Sequence, residues 1–242
     1  MQNRIFSSDN PKAIKAQTYG WRNAIHYMAP ARLAGVGDLC ADKSPACELL
    51  CLGVTSGAAT YYPTVIQSRI AKARRFMKDR KTYLNDVIRS IKSEIRTSDK
   101  ANVKLCVRLN GSTDIPFEGI RDADGLTLME RFPDIQFTDY TKSAKRAIAH
   151  AQGKMPRNYH LTFSRSETNW SDCLRVLQAG GNVAVIFGNG LPKAWRFYPV
   201  INGDEHDLRH LDPKRVVVGL TPKGPKAKKD QSGFVLRDYD LT

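Results

Sequence analysis

The chain has 242 residues, 41% of them hydrophobic, and carries 38 Lys and Arg against 24 Asp and Glu, a formal charge of +14. That apolar fraction is enough for a core and excludes a disordered polyelectrolyte, and no apolar run reaches the roughly 18 residues of a membrane span. The positive surplus points to a polyanionic partner, with counterion release from nucleic acid as the driving term.

Five cysteines are an odd count. Residues 1–8 lack the apolar stretch of a secretory leader, so reduced thiols in a cytoplasmic setting are expected. Residues 1–37 read as an irregular leading segment. Trp21, Ile25 and Met28 make one short apolar stripe closed by Pro30. His26 reads as structural, because it lacks the close spacing of metal ligands. Residues 33–37 read as a short strand or tight turn.

The stretch 38–53 then places Cys40, Cys47 and Cys51 within twelve residues. On a helical turn, two thiols four apart share a face. The loop before them, broken by Pro45, can fold Cys40 back to the same point. Three thiolates meeting this way suit a soft metal or an iron–sulfur cluster. Buried hydrophobes, or a disulfide with one thiol left over, are the alternatives. Loop composition around Cys40 and Cys47 (Asp38, Asp42, Lys43, Ser44, Pro45) favours the metal. The small residues of 52–60 suit either close backbone approach to a bulky inorganic group or a flexible loop.

From Thr64 a long helical pattern runs through Val65, Ile66, Ile70, Phe76, Met77, Tyr83, Leu84, Val87, Ile88, Ile91 and Ile95, with Asn85 and Asp86 marking a change of helix. Its other face carries Arg69, Lys72, Arg74, Arg75, Lys78, Arg80 and Lys81. Such a face is either solvated or a site of phosphate contact.

Residues 103–110 predict a strand with Leu105, Val107 and Leu109 on one side and Lys104, Cys106, Arg108 and Asn110 on the other. That polar side fits a barrel strand facing a site, or an edge strand with a wet face. A helix is expected over 117–132, closed by Pro133. Then come a strand at 135–141, a helix at 143–151 capped by Ser143, a strand at 159–164, a helix at 170–179 stopped by Gly180-Gly181, and a strand at 182–187. Repeated strand–helix units predict parallel strands with helices outside.

Beyond Gly188, Trp195, Phe197 and Tyr198 interleave with Lys193 and Arg196, a mixture that stacks bases or packs over a barrel end. Asp204, His206, Asp207 and His210 suit a hard metal or plain loop hydrogen bonding. A buried strand is expected at 216–220 and a last short one at 234–236. Between them, 222–229 reads as a mobile, basic loop carrying Lys223, Lys226, Lys228 and Lys229. No repeat or linker divides the chain. It reads as one domain over 1–242: leading segment 1–37, barrel-like body with the cysteine loop 38–220, and basic loop and tail 221–242.

Four stretches follow in order: Cys40-x6-Cys47-x3-Cys51 with a helix after it, then 107–114 (Val-Arg-Leu-Asn-Gly-Ser-Thr-Asp), 135–142 (Ile-Gln-Phe-Thr-Asp-Tyr-Thr-Lys) and 160–169 (His-Leu-Thr-Phe-Ser-Arg-Ser-Glu-Thr-Asn). Over roughly 35–220 this resembles the phage gene-product-88-like family, which is in turn similar to a reduced radical-SAM half-barrel. The resemblance implies an α/β fold, a partial (β/α) barrel of mainly parallel strands with outer helices. It also implies a [4Fe–4S] cluster held by the three cysteines at the carboxyl mouth of the strands. The spacing departs from the Cys-x3-Cys-x2-Cys of radical-SAM enzymes, and no methionine-carboxylate or ribose motif is evident, so S-adenosylmethionine is not secured. Cys106, a side-chain oxygen, a histidine, a small molecule or solvent would complete the cluster, while Cys173 reads as core.

The leading expectation is an iron–sulfur protein that binds nucleic acid, DNA favoured, in the cytoplasm (the host's, if phage-encoded), with a structural or redox-sensing cluster. Arg69, Arg74, Arg75, Lys78, Lys223, Lys226, Lys228 and Lys229 are the expected phosphate contacts. One alternative is a radical-SAM-like enzyme with Arg108, Asn110, Asp114, Tyr140, Lys142, Arg165, Glu167 and Asn169 lining a substrate space at the strand ends. The other is a structural zinc protein.

Overall fold

The computed structural model describes residues 4–239. The terminal residues of the expected leading segment and tail, 1–3 and 240–242, lie outside them. The chain opens with strand β1 (Phe6–Ser7), helix α1 (Pro11–Lys15) and strand β2 (Trp21–His26). The cysteine region follows as α2 (Pro45–Leu49), α3 (Leu52–Thr55) and α4 (Ala58–Tyr61), leading into the long helices α5 (Pro63–Lys78) and α6 (Arg80–Lys100). Then come β3 (Lys104–Arg108), α7 (Leu128–Arg131), β4 (Gln136–Thr141), α8 (Ala144–Ala151), β5 (Tyr159–Ser164), α9 (Trp170–Gln178) and β6 (Val183–Phe187). The rest is β7 (Ala194–Trp195), β8 (Tyr198–Asn202), β9 (Val217–Leu220), α10 (Gly224–Lys228) and β10 (Val235–Leu236).

One mostly parallel sheet of ten strands runs β1-β2-β3-β4-β5-β6-β9-β8-β7, with β10 beside the carboxyl half of β6. Only the β1–β2 and β7–β8 pairings are antiparallel. Among the described residues nothing pairs β1 with β7, so the sheet is open. The expected alternation of mainly parallel strands and helices is present, and among the described residues the sheet does not close into a barrel.

Register separates the two faces. Ala24 pairs with Val107, Val107 with Phe137, and Phe137 with Tyr159. These join Tyr83, Leu84, Val87 and Ile91 of α6 and Phe76 of α5 in the main core. The opposite face presents Asn23 beside Cys106, and Thr138 beside His160. The segment around the 3-10 turn Arg209–Leu211 covers it, with Arg209 almost wholly buried. β3 is therefore an interior strand, not a wet edge, and its polar side is covered from Cys106 onward, with Lys104 at its start exposed.

Several expectations are corrected. The leading segment, expected to be irregular, holds β1, α1 and β2, and the Trp21, Ile25, Met28 stripe belongs to β2 and the extended stretch just after it. The helix break falls at Asp79 rather than at Asn85 and Asp86. Asp79 is extended there (φ −146°, ψ 85°), and its carboxylate accepts from Thr82 N at 3.1 Å, which caps α6. The helix expected over 117–132 is only a 3-10 turn, Phe117–Gly119, and the short α7. Between them Asp122 accepts from the Asp124 and Leu126 amides, and Gly125 is left-handed at φ 80°, so the backbone turns instead of winding. Ser143 makes no side-chain cap. Of the two readings of residues 33–37, the turn rather than the strand is present, and the small residues after Cys51 form α3 and α4. The basic stretch expected to be a mobile loop contains α10. At Gly224 (φ 81°) a β-carbon would stand 2.6 Å from the Thr55 carbonyl, so only glycine lets α10 dock on α3.

Candidate metal centre

Cys40 lies in the loop after β2, Cys47 on α2, and Cys51 just before α3. All three line one cavity of about 270 Å³, walled by Pro30, Ala31, Leu33, Leu49 and Val54, with Lys43, Glu48 and Lys226 also on its lining. Proline at the first turn and Ser44 as cap start α2, with Ser44 Oγ accepting from Cys47 N at 3.2 Å.

The loop is tied to the carboxyl ends of β3 and β5, and the end of β4 is tied to that of β5 beside it. After β3, Asp114 N donates to Leu39 O at 2.9 Å, and Cys40 Sγ lies 3.9 Å from Ser112 O. After β4, Lys142 Nζ donates to Ser164 Oγ at 3.0 Å and Arg165 O at 3.1 Å. After β5, the Glu167 carboxylate accepts from Ser44 Oγ at 2.7 Å and Ala46 N at 3.1 Å. A carboxylate at the start of α2 meets both free amides and the positive end of the helix. Burial works against its charge, but Ser44, Ala46 and Lys142 outweigh it and hold the carboxyl below its ordinary range.

Burial pushes the Cys40 thiol up to about 12 and Cys51 up to about 11, and raises Cys47 against the opposing pull of Lys142. A metal-free site therefore keeps its protons, and metal must displace them. Among the described residues no three His, Cys, Asp or Glu side chains are drawn together into a ready-made metal cage. The donor set still suits a soft centre. Three sulfurs share one partly apolar cavity, the Ala31 amide is directed at Cys40 Sγ at 3.4 Å, and Glu48 lies 3.8 Å from Lys43.

Other sequence candidates are dispersed. Cys106 is fully buried beside Ala16, Leu208 and Trp21, 3.9 Å from His210, and does not line the cavity. Cys173 is core. His26 is satisfied by Leu109 O and Tyr83 Oη, and burial drives it down to about 3. Asp204, His206, Asp207 and His210 do not converge. Asp204 pairs with Lys12 and Lys223, Asp207 with Lys12 and Arg108, His206 packs on Tyr19 and His210 on Trp21.

The expected strand-end space divides in two. Arg108 stacks 4.8 Å over Tyr140 on the covered face, away from the cysteines. Asn110 is bound to Asp139, Thr113 and Ile115. Asp114 and Glu167 bond to the cysteine loop as described, and Lys142, bound to Ser164 and Arg165, acts on Cys47 through its charge. Arg165 reaches the Gly233 and Phe234 carbonyls, and Asn169 turns back on Ser166 N at 2.6 Å. Arg146, absent from the sequence candidates, clamps Asp114 at 2.5 Å and Glu118 at 2.6 Å. Its position on the inner side of an amphipathic helix was the only available signal.

The cations also sort. Arg69 turns inward, donating to the Gly53 carbonyl and lying 4.6 Å over Tyr27. Arg75 is bound to Asp86, and Lys223 to Asp204 at 2.9 Å. Arg74 is exposed but gives its Nε to Ala34 O. Lys78, Lys226, Lys228 and Lys229 are exposed.

An open, mostly parallel α/β sheet with a three-cysteine cavity at its strand ends defines the class of protein. A family model described as Gene product 88 matches residues 4–238. The chain belongs to that family. No curated protein and no solved structure matches it. No helix among the described residues is long and apolar enough to cross a membrane.

Proposed function

We propose that this phage-type protein is an iron–sulfur protein that binds nucleic acid, with Cys40, Cys47 and Cys51 as the cluster thiolates. The observation that carries this reading is the shared cavity: three sulfurs from one short loop line a single space at the strand ends. When bound, such a cluster supplies a one-electron store, or simply a cross-link for the loop.

The chain's own residues do the rest. Glu167 and Ser44 fix the helix bearing Cys47. Lys142 brings positive charge toward that sulfur, which favours an anionic thiolate centre. Exposed Lys78, Lys226, Lys228 and Lys229 supply phosphate contacts, and the +14 charge supplies the long-range attraction.

A second reading, a radical-SAM-like enzyme, draws on the cysteine loop following the first parallel strand at its carboxyl end, with the open sheet as an incomplete barrel. The same donor set also suits structural zinc. Anaerobic purification tests all three. A brown protein containing iron and sulfide, colourless as Cys40→Ser, Cys47→Ser or Cys51→Ser, and binding DNA with a steep salt dependence is the expected result. Zinc in place of iron selects the third reading. Reductive cleavage of S-adenosylmethionine selects the second.

A further inference from the structure

Strands β7 and β8 form a hairpin in which Trp195 pairs with Tyr198, leaving Arg196 and Phe197 as a two-residue turn. Both have positive φ, 51° and 71°. Such turns are ordinarily built from Asn and Gly, because a β-carbon is strained in that region. The Arg196 guanidinium lies 4.5 Å from the Trp170 ring centre and 5.4 Å from that of Trp195. Those two indoles meet edge to face at 4.7 Å. Phe197, in contrast, is fully exposed.

The arrangement is unfavourable in two ways. The backbone is strained, and a large ring is left in water. Residues 188–203 contain Lys193 and Arg196 and no Asp or Glu, so the ring stands in an acid-free, cationic stretch. We propose that Phe197 is a stacking residue for an unpaired nucleobase, held out by a turn that Arg196 anchors on the two tryptophans. The inference rests on the nucleic-acid reading above and narrows it to single strands. An exposed ring accepts the face of any base, whereas the base faces of a duplex are already covered.

The test is fluorescence anisotropy of a labelled single-stranded DNA oligonucleotide and of its duplex, across a salt series. The proteins are wild type, Phe197→Ala, and the double variant Arg196→Asn with Phe197→Gly. Expected are tighter binding of the single strand, about tenfold weaker single-strand binding by both variants, an unchanged salt slope, and a higher melting temperature for the double variant. Single-strand binding by Phe197→Ala equal to wild type overturns the stacking role while leaving the nucleic-acid reading intact, as does a preference for duplex. Wild-type protein that binds neither DNA at any salt concentration overturns both.

Discussion

The carboxylate of Glu167, from the loop after β5, holds the hydroxyl of Ser44 at 2.7 Å, and Ser44 in turn caps the helix that carries Cys47. Two residues 123 positions apart thus set the direction of a thiol that neither touches. Glu167→Gln should cost about 1 kcal/mol of stability, the worth of one helix cap, and weaken metal retention by roughly 10- to 100-fold, as loss of a supporting contact does at metal sites. Because the native carboxyl sits below its ordinary 4.5, this contribution is full at neutral pH and lost as pH falls through the native value. Competition with a chelator measures the retention. Ser44→Ala added to Glu167→Gln should cost about another 1 kcal/mol, because the Ser44 cap on Cys47 N is lost as well, but the total should stay below the two single losses summed, since the two side chains share one hydrogen bond.

The basic face separates into groups that can be told apart by salt. Lys226, Lys228 and Lys229 are exposed, while Arg69 is committed to Gly53 and Tyr27. Replacing the three lysines with Glu should lower the slope of log affinity against log salt for single-stranded DNA by about 2, near 0.7 for each lost phosphate contact. Arg69→Ala should leave that slope alone and lower the melting temperature. A slope unchanged in the triple variant would move the nucleic-acid surface elsewhere.

Asp139 supplies a pH signature unrelated to the cysteines. Burial pushes its carboxyl up to about 6, opposed by the Asn110 amide, Arg108 and the Tyr159 hydroxyl. Between about pH 4 and 6 the folded state keeps a proton that the unfolded chain has released. Stability therefore falls as pH rises through that window, by on the order of 3 kcal/mol, and stays level above it. Urea midpoints from pH 4 to 7 should show this component in wild type and lose it in Asp139→Asn. The variant starts from lower stability, having given up an acceptor for Asn110, so the slope is the readout.

The strands were legible where aromatic and β-branched residues are concentrated in a short run: 159–164 matches β5, and 182–187, between Gly181 and Gly188, overlaps β6. Strand β2 was not. Both its faces approach burial within the sheet, so Trp21 and Ile25 carried no strand alternation, and the segment reads from sequence as irregular. The helix expected over 117–132 failed for a different reason, because Asp122 captures two amides that a helix would have used. At the site, the cysteine spacing announced a shared cavity because it is local. The clamp of Arg146 on Asp114 and Glu118 spans 32 and 28 positions and exists only once the sheet has formed. Glu167 was recognised as a strand-end residue, but its role as a cap for a helix far earlier in the chain has no local signature.

The sharpest packing constraint on the cavity lies behind Cys51. At Gly53 a β-carbon would stand 2.5 Å from the Ser112 Cβ and 3.5 Å from the Cys51 sulfur. Ser112 cannot simply swing away, since its hydroxyl donates to Met28 O at 2.7 Å and its carbonyl faces Cys40. Gly53→Ala must therefore push α3, and Cys51 with it, off the wall. The cost should be about 1–3 kcal/mol of overpacking, together with a loss of metal occupancy, in a chain that still folds. Adding Ser112→Gly removes the opposing carbon, and the double variant should regain metal even though it gives up the Met28 contact. Metal content and thermal melting of the two singles and the double give the coupling between the positions. Full occupancy in Gly53→Ala alone would mean that Cys51 is not a ligand, and the three-sulfur reading would have to be abandoned.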